Sequence, residues 1–354
     1  MTRVLIAAGG TAGHVVPALA VADALRAEGA QVAFVGGQRA EAELVPAAGY
    51  ELHPIRVEGL SRTNPLKAAR AVVRAGGAVG AARRVLRAFG PDAVMGGGGY
   101  VAGPVGLAAA GARVPLVLTE ADSHLGIANR LLVRAARRVC LAFPLEGREG
   151  GRYLVTGRPV GPPVTDRAAA RSRFALGDEE TCVLVFGGSL GARSINEAAG
   201  QAFRDVDFRV LHASGVRDFA TLRERVGGRQ GYDLHEYLER FGEALAACDL
   251  CVARAGGSIF EIAAHGRPAI LVPYPHATAD HQTANARWME RAGAAVVVPD
   301  AELDAIRLRA EVDALLGDPV RLEVMARASA SLARPDAAAV IAREVLEAAA
   351  GSPR

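Results

Sequence analysis

Twice in this chain an apolar strand pattern runs straight into glycines and then into a helix, and few architectures accommodate that arrangement twice. Arg3 to Ala8 leads into Gly9-Gly10-Thr11-Ala12-Gly13-His14 and an amphipathic helix. About 178 residues later, Thr181 to Phe186 leads into Gly187-Gly188-Ser189-Leu190-Gly191-Ala192-Arg193-Ser194 and another helix. In an open α/β sheet such a strand-to-helix turn lies at the carboxyl edge, where ligands bind. Glycine lets the backbone approach a phosphate, and a helix N-terminus offers unpaired N–H groups and partial positive charge. Two halves with one such loop each predict an anionic ligand held in a cleft between two domains.

Length agrees, because 354 residues exceed what one hydrophobic core usually holds. Strand and helix patterns alternate, which predicts a parallel sheet in each half. In the first half strands are expected at Val4–Ala8, Gln31–Val35, Ala93–Met95, Leu116–Leu118 and Arg138–Leu141. In the second they are expected at Cys182–Phe186, Phe208–His212, Leu250–Ala253, Ala269–Val272 and Ala295–Val298. Gly157-Arg158-Pro159-Val160-Gly161-Pro162-Pro163 suits neither a helix nor a strand interior and reads as the linker. The tail from Pro335 is an Ala-rich helix whose partner domain the residues alone leave open.

Composition excludes several classes. With 51% hydrophobic and 22% charged residues the chain is globular. The apolar start, Val4 to Ala8, is far short of a secretory h-region, and no run approaches the ~20 residues of a membrane span, so a cytoplasmic, non-spanning protein is expected. Cys248-Asp249-Leu250-Cys251 matches C-x-x-C, but no second pair or His cluster completes a zinc site, and buried thiols are the expectation. Residues 1–158 hold 19 Lys/Arg against 11 Asp/Glu, a net of +8, whereas residues 159–354 hold 22 against 27, a net of −5. No acid lies between Glu58 and Asp92, where Arg62, Lys67, Arg70, Arg74, Arg83, Arg84 and Arg87 fall. Ser123 to Leu145 is likewise acid-free and carries Arg130, Arg134, Arg137 and Arg138. Basic residues interleaved with Leu66, Val79, Leu86 and Phe89 suit a helix on an anionic membrane surface; an ordinary solvated helix is the alternative. Nucleic acid is not an expected partner, since no aromatics alternate with these charges.

The first loop is not a P-loop, because no Lys-Ser/Thr follows the glycines, and the strand ending at Val35-Gly36-Gly37 lacks the acid of a dinucleotide site. It offers His14 at a helix start, where the local field disfavours imidazolium and leaves a neutral ring able to accept a proton. A capping or core histidine is the bland alternative. Gly96-Gly97-Gly98-Gly99-Tyr100 forms a third glycine loop, in which Tyr100 either meets a ligand or packs. Thr119-Glu120-Ala121-Asp122 places two carboxylates at the same sheet edge, as bases or as surface groups. In the second half Arg254-Ala255-Gly256-Gly257-Ser258 precedes a short helix with Glu261, a carboxylate suited to accept from both hydroxyls of a ribose. His276 to Asn285 is dense in hydrogen-bonding side chains, as a sugar site requires. Asp205-Val206-Asp207 matches a D-x-D metal motif but precedes a strand, so a solvated loop is expected.

Together these segments resemble the MurG family, the UDP-N-acetylglucosamine transferases that convert lipid I to lipid II in peptidoglycan synthesis. The likeness covers nearly the whole chain and is carried by GGTAGHVVPALAVA (9–22), GGGGYVAGP (96–104), GGSLGARSIN (187–196), RAGGSIFEIAAHGRPAILVPYP (254–275) and ADHQTANA (279–286). It implies the GT-B fold, two Rossmann-like domains with parallel sheets facing a cleft. The final helix, about residues 335–354, would cross back to a first domain of residues 1–158, leaving 159–334 as the second. It implies inverting transfer of GlcNAc from UDP-GlcNAc to the 4-hydroxyl of MurNAc on a polyprenyl-pyrophosphate carrier, without metal or other cofactor. Ser189 and the amides of Gly188, Leu190 and Gly191 would bind the pyrophosphate, Glu261 the ribose, and the Leu238 backbone the uracil. Gln282 with His281 would contact GlcNAc, beside Gly257 and Ser258. Thr11, Ala12, Gly13 and Arg158 would be further substrate contacts. His14 would be the base, with Tyr100, Glu120 and Asp122 on the acceptor face.

The chain departs from the family at Ala12 (usually glycine), Leu190 (glutamine), Glu120-Ala121-Asp122 (Glu-Gln-Asn) and Arg158-Pro159-Val160-Gly161 (Asn-Pro-Val-Arg), where the linker arginine has moved or is lost. The interval from Arg254 to Glu261 is one residue shorter than usual. An anionic membrane surface on the cytoplasmic side and the cell-wall and division machinery are the implied partners. The alternatives are another GT-B UDP-sugar:lipid transferase, a UDP-GlcNAc 2-epimerase, or a non-catalytic nucleotide-sugar-binding subunit.

Overall fold

The computed structural model describes residues 1–57 and 65–351, those from 65 to 75 by backbone alone. Two compact units emerge: one is Met1–Val160 together with the chain from Arg334 onward, the other Gly161–Ala333.

In the first unit the order is β1 (Arg3–Ala7), α1 (Ala12–Ala27), β2 (Gln31–Gly36), α2 (Ala40–Ala47), β3 (Glu51–Pro54), α3 (Pro65–Phe89) and β4 (Ala93–Gly96). There follow α4 (Gly99–Gly111), β5 (Leu116–Glu120), α5 (Ile127–Leu132), β6 (Arg138–Leu141) and β7 (Tyr153–Val155). The second unit runs α6 (Arg167–Arg173), β8 (Cys182–Phe186), α7 (Arg193–Ala202), β9 (Arg209–Ala213), α8 (Phe219–Val226), β10 (Tyr232–His235) and α9 (Phe241–Ala247). It continues through β11 (Leu250–Ala253), α10 (Ile259–Ala264), β12 (Ala269–Leu271), α11 (His281–Arg291), β13 (Ala295–Val297), α12 (Ala305–Leu316) and α13 (Pro319–Ser331). The last helix, α14 (Ala337–Ala350), belongs to the first unit.

The sheets are ordered β3-β2-β1-β4-β5-β6-β7 and β10-β9-β8-β11-β12-β13, with every pairing parallel. Strand order reverses between β1 and β4 and again between β8 and β11, and the crevice at such a reversal is where ligands bind. Both glycine loops open at these two points. Parallel strands are covered on both faces, which explains their unbroken apolar runs. In β1, Val4 and Ile6 enter one core with α1 and α14, while Leu5 and Ala7 enter the other with α4.

Edge strands β3, β7 and β10 were not legible from the sequence pattern. Tyr232 to His235 is half-buried throughout and includes Asp233, so neither a continuous apolar run nor a clean alternation marks it. α14 is held by Ile341 and Val345, both buried against α1. Two such side chains contribute about 3–6 kcal/mol at ~1.5–3 each, more than the partly exposed Arg138–Glu344 ion pair adds. Cys248 and Cys251 are buried with their Sγ atoms 3.7 Å apart. No described helix is long and apolar enough to cross a membrane.

Candidate active site

The loop after β1 is shaped by a residue that the motif reading passed over. Glu41, in the first turn of α2, is fully buried. Its Oε2 accepts the Gly10 N–H at 2.8 Å, and its Oε1 accepts the Gly37 N–H at 2.8 Å and the Tyr100 hydroxyl at 2.7 Å. Burial pushes this carboxyl up, but the donors from Gly10, Tyr100 and Gly37 outweigh it and hold the group below its usual range. Glycine is required nearby, since a Cβ on Gly37 would lie 2.1 Å from the Tyr100 oxygen and one on Gly9 2.8 Å from Glu41 Oε1. The detectable signal was an acid in the first turn of the helix that follows Gly36-Gly37.

Tyr100, an acceptor-face candidate from sequence, therefore donates its hydroxyl proton inward. Burial, then the neighbouring Glu41, pushes its pKa up to about 12. The guanidinium of Arg39 lies 5.1 Å from its ring centroid. Glu120, a base candidate, is likewise occupied: it accepts from the Gly126 N–H at 2.7 Å, Asn129 Nδ2 at 2.9 Å and the Asp122 N–H at 3.3 Å. Burial raises its pKa against the pull of these donors. The Tyr100 hydroxyl and the Glu120 carboxylate are thus each tied by protein hydrogen bonds to the loops around them.

His14 sits in the first turn of α1, half-buried, beside Gly98. A Cβ on Gly98, which has φ of +90°, would come within 2.9 Å of His14 Nδ1, so the third glycine loop makes room for this ring. Nδ1 is enclosed and has no hydrogen-bond partner among the described residues. Burial lowers the imidazole pKa, Asp122 raises it and Arg158 lowers it, with a net fall, so the ring is neutral near pH 7. Asp122 is half-buried, and its charge acts directly on His14. Thr11, Ala12 and Gly13 are exposed at the head of α1. Pro17 explains the place of Arg158: proline has no N–H for the carbonyl four residues back, and Arg158 Nη2 donates to that Gly13 carbonyl at 2.6 Å. A small pocket beside His14 is lined by Gly13, Pro17, Gly97, Thr119, Glu120 and Arg158 among others.

The second unit gathers its candidates in the same topological position. Gly188, Ser189 and Leu190 are exposed after β8, with Leu190 57% accessible. Gly191 (φ +77°) lies so close to the loop after β9 that a Cβ would sit 1.9 Å from the Ser214 oxygen. Two buried networks hold this loop. In one, Arg254 donates to the Val272 and Pro273 carbonyls at 3.1 Å, to Asp300 Oδ1 at 2.6 Å and to Ser194 Oγ at 2.8 Å. The other is centred on His212. Asn196 Nδ2 donates to the Ser214 carbonyl at 2.9 Å and to Asp218 at 3.0 Å, so Asn196 Oδ1 must face His212 Nε2, 3.0 Å away, as the acceptor. His212 Nδ1 then accepts from the Tyr232 hydroxyl at 2.6 Å. Burial drives the His212 pKa down to about 3.

Leu238 has a buried side chain just after β10, beside the Gly215 N–H that donates to the Glu236 carbonyl at 3.0 Å. Gly257, Ser258 and Glu261 lie at the head of α10, half-buried. Gln282 Oε1 accepts the Tyr274 N–H at 3.0 Å, and its Nε2 faces Gly256. His281 Nδ1 lies 2.8 Å from the Thr278 carbonyl, which can only accept, so the proton is on Nδ1. Ala279 and Asp280 before α11 both adopt left-handed φ, +52° and +51°, strain of the kind that collects at ligand-binding turns.

Residues 4–141 match the glycosyltransferase family 28 N-terminal domain, and residues 182–341 match that family's C-terminal domain. A Moorella thermoacetica protein named UDP-N-acetylglucosamine–N-acetylmuramyl-(pentapeptide) pyrophosphoryl-undecaprenol N-acetylglucosamine transferase is 43% identical, over 98% of each chain. One of the same name from Alkalilimnicola ehrlichii is 44% identical, over 97% of this chain and 98% of its own. The crystal structure of Acinetobacter baumannii MurG superposes with a TM-score of 0.80 at 28% identity, over 98% of this chain and all of that one. The chain belongs to glycosyltransferase family 28 and, within it, to the MurG family of UDP-N-acetylglucosamine transferases.

Proposed function

We propose that this chain moves GlcNAc from UDP-GlcNAc to the 4-hydroxyl of MurNAc on undecaprenyl-pyrophosphoryl-MurNAc-pentapeptide, with His14 as the base. The acceptor oxygen attacks the anomeric carbon opposite UDP, the bond from that carbon to the diphosphate breaks, and configuration inverts. His14 Nε2 takes the hydroxyl proton, because Nδ1 is enclosed against Gly98. A ring kept neutral by burial is ready to accept it. On the second unit the amides of Gly188 to Gly191 and the Ser189 hydroxyl receive the charge that develops on departing UDP. Glu261 accepts from the ribose hydroxyls, the Leu238 backbone meets uracil, and Gln282 and His281 hold the sugar.

What supports this reading most is a neutral histidine at the head of α1 in a chain that matches transferases from end to end. Incubation with UDP-GlcNAc, with and without a short-chain lipid I analogue, tests it. UDP and a disaccharide lipid are expected only when acceptor is present; epimerised sugar nucleotide without acceptor would instead make the chain an epimerase.

The same reading places the first unit on the anionic inner face of the cell membrane, near the machinery of wall synthesis and division. Arg83, Arg84 and Arg87 on α3 are exposed, and α4 packs between α3 and α5. α5 presents Ile127 and Leu131, the latter 72% accessible, beside exposed Arg130 and Arg134. Apolar side chains ringed by arginines suit a headgroup layer. Arg62 and the side chains of Leu66, Lys67, Arg70 and Arg74 lie outside the described residues. Replacing Arg83, Arg84 and Arg87 with Glu should abolish sedimentation with anionic vesicles and spare turnover of a soluble acceptor; vesicle binding indifferent to these changes and to salt excludes this surface.

A further inference from the structure

We infer that Glu41 is a positioning residue for His14, acting as a buried anionic latch across three sheet-end loops. The inference rests on the reading of His14 as base. Gly10, Gly37 and Tyr100 follow β1, β2 and β4, which are neighbours in the sheet, and one carboxylate receives a hydrogen bond from each. The loop after β4, held in this way, closes over one side of the imidazole at Gly98. Gly99 packs on the Gly9 carbonyl so closely that a Cβ there would lie 1.9 Å from its oxygen, and Gly98, one residue earlier, lies against His14 Nδ1. Displacing the Gly10 end or the Tyr100 end therefore changes how tightly the ring is enclosed. Enclosure is the leading cause of its lowered pKa.

The latch needs an anion with two accepting oxygens. An amide in place of the carboxylate turns one oxygen into an N–H donor, which faces either the Gly10 N–H or the Gly37 N–H and Tyr100 hydroxyl pair. Two donors then oppose each other in a buried site. The internal anion also has a consequence for ligands: the Gly10 amide is already used, so this glycine does not serve a phosphate. The groups that bear on His14 from the other elements are Asp122 after β5 and Arg158 after β7. Those that bear on Glu41 are its donors Gly10, Gly37 and Tyr100, while Arg39 lies over the Tyr100 ring.

The test compares Glu41→Gln, Tyr100→Phe and the double variant with the intact chain, all normalised to folded protein by UDP titration of the second unit. Glu41→Gln is expected to lower kcat by ~10–30-fold and Tyr100→Phe by about threefold, with UDP affinity within about twofold of the parent. The double variant should resemble Glu41→Gln alone, because the two changes break one unit. The decisive readout is the His14 ring titration followed by NMR, which loosened enclosure should move upward in both single variants. A general loss of stability would lower the amount of folded protein and leave that titration where it was. If Glu41→Gln does not fold, Tyr100→Phe carries the same test. An unmoved His14 titration with unchanged kcat overturns the latch. A fully active His14→Ala protein would instead overturn the base assignment, and the NMR titration still decides whether Glu41 encloses the ring.

Discussion

The two glycine loops look alike in sequence and are built in opposite ways. After β1 the Gly10 amide is spent on the protein's own carboxylate, Glu41, and the loop serves to present a side chain, His14. After β8 the exposed Gly188, Ser189 and Leu190 present backbone, and the charged groups lie beneath, where Arg254 is bound to Asp300 and Ser194. One loop is tied down from within and the other leaves its residues exposed. The difference follows from what packs behind: a carboxylate from α2 reaches up between β1 and β2, whereas behind β8 a neutral His212–Asn196 pair supports the Ser214 carbonyl. A strand–glycine–helix pattern thus marks a place in a sheet, and its neighbours determine whether its amides are bonded within the protein or left exposed.

Perturbing the units one at a time tests this division. The largest effect is expected from His14→Ala, which should reduce turnover by roughly 10²–10⁴-fold with UDP affinity nearly unchanged. The acidic limb of the kcat/KM profile should vanish with it, since a ring with a lowered pKa is protonated only on the acid side. A comparable loss of UDP affinity would mean that the first loop also holds the donor, and the contrast between loops would fail.

Glu261→Gln should do the reverse, weakening UDP by about 1.5–3 kcal/mol as a charged acceptor for two hydroxyls becomes neutral. Calorimetry showing unchanged affinity would remove Glu261 from the nucleotide site.

The smallest effect concerns the support under the second loop. His212 is held at about 3 in the folded chain against 6.5 as its ordinary value, so below that value the unfolded chain takes up a proton that the folded chain refuses. Stability is therefore complete above the ordinary value and falls as pH drops toward the folded one. Between about pH 7.5 and about pH 5.5 the loss should be ~1.4 kcal/mol, absent in His212→Gln. Trp288 is the chain's one tryptophan and lies in this unit, so its fluorescence during urea unfolding reads the loss. An identical pH dependence in both proteins would show that His212 is not the group responsible.

What the sequence determined by itself was whatever is written in short-range patterns. Buried central strands such as Val4 to Ala7 and Cys182 to Phe186 are continuous apolar runs because both faces are covered, and their glycine turns are contiguous in the chain. The place of His14 at a helix start was legible because a glycine loop precedes it directly. Tertiary structure alone decided what depends on residues distant in the chain. Edge strands β3, β7 and β10 take their identity from a neighbour and not from their own half-solvated pattern. The hydrogen-bond partners of Tyr100 and Glu120 were likewise not readable: Glu41 for the first, Gly126 and Asn129 for the second. Arg158 found the carbonyl that Pro17 leaves unpartnered, 145 residues back in the chain. α14 joined the first unit because Ile341 and Val345 find a buried apolar surface there against α1. Local sequence records which backbone conformations are cheap; which donor meets which acceptor is settled only when the sheet brings the loop ends together, because a buried polar group must be satisfied by whatever partner the fold places beside it.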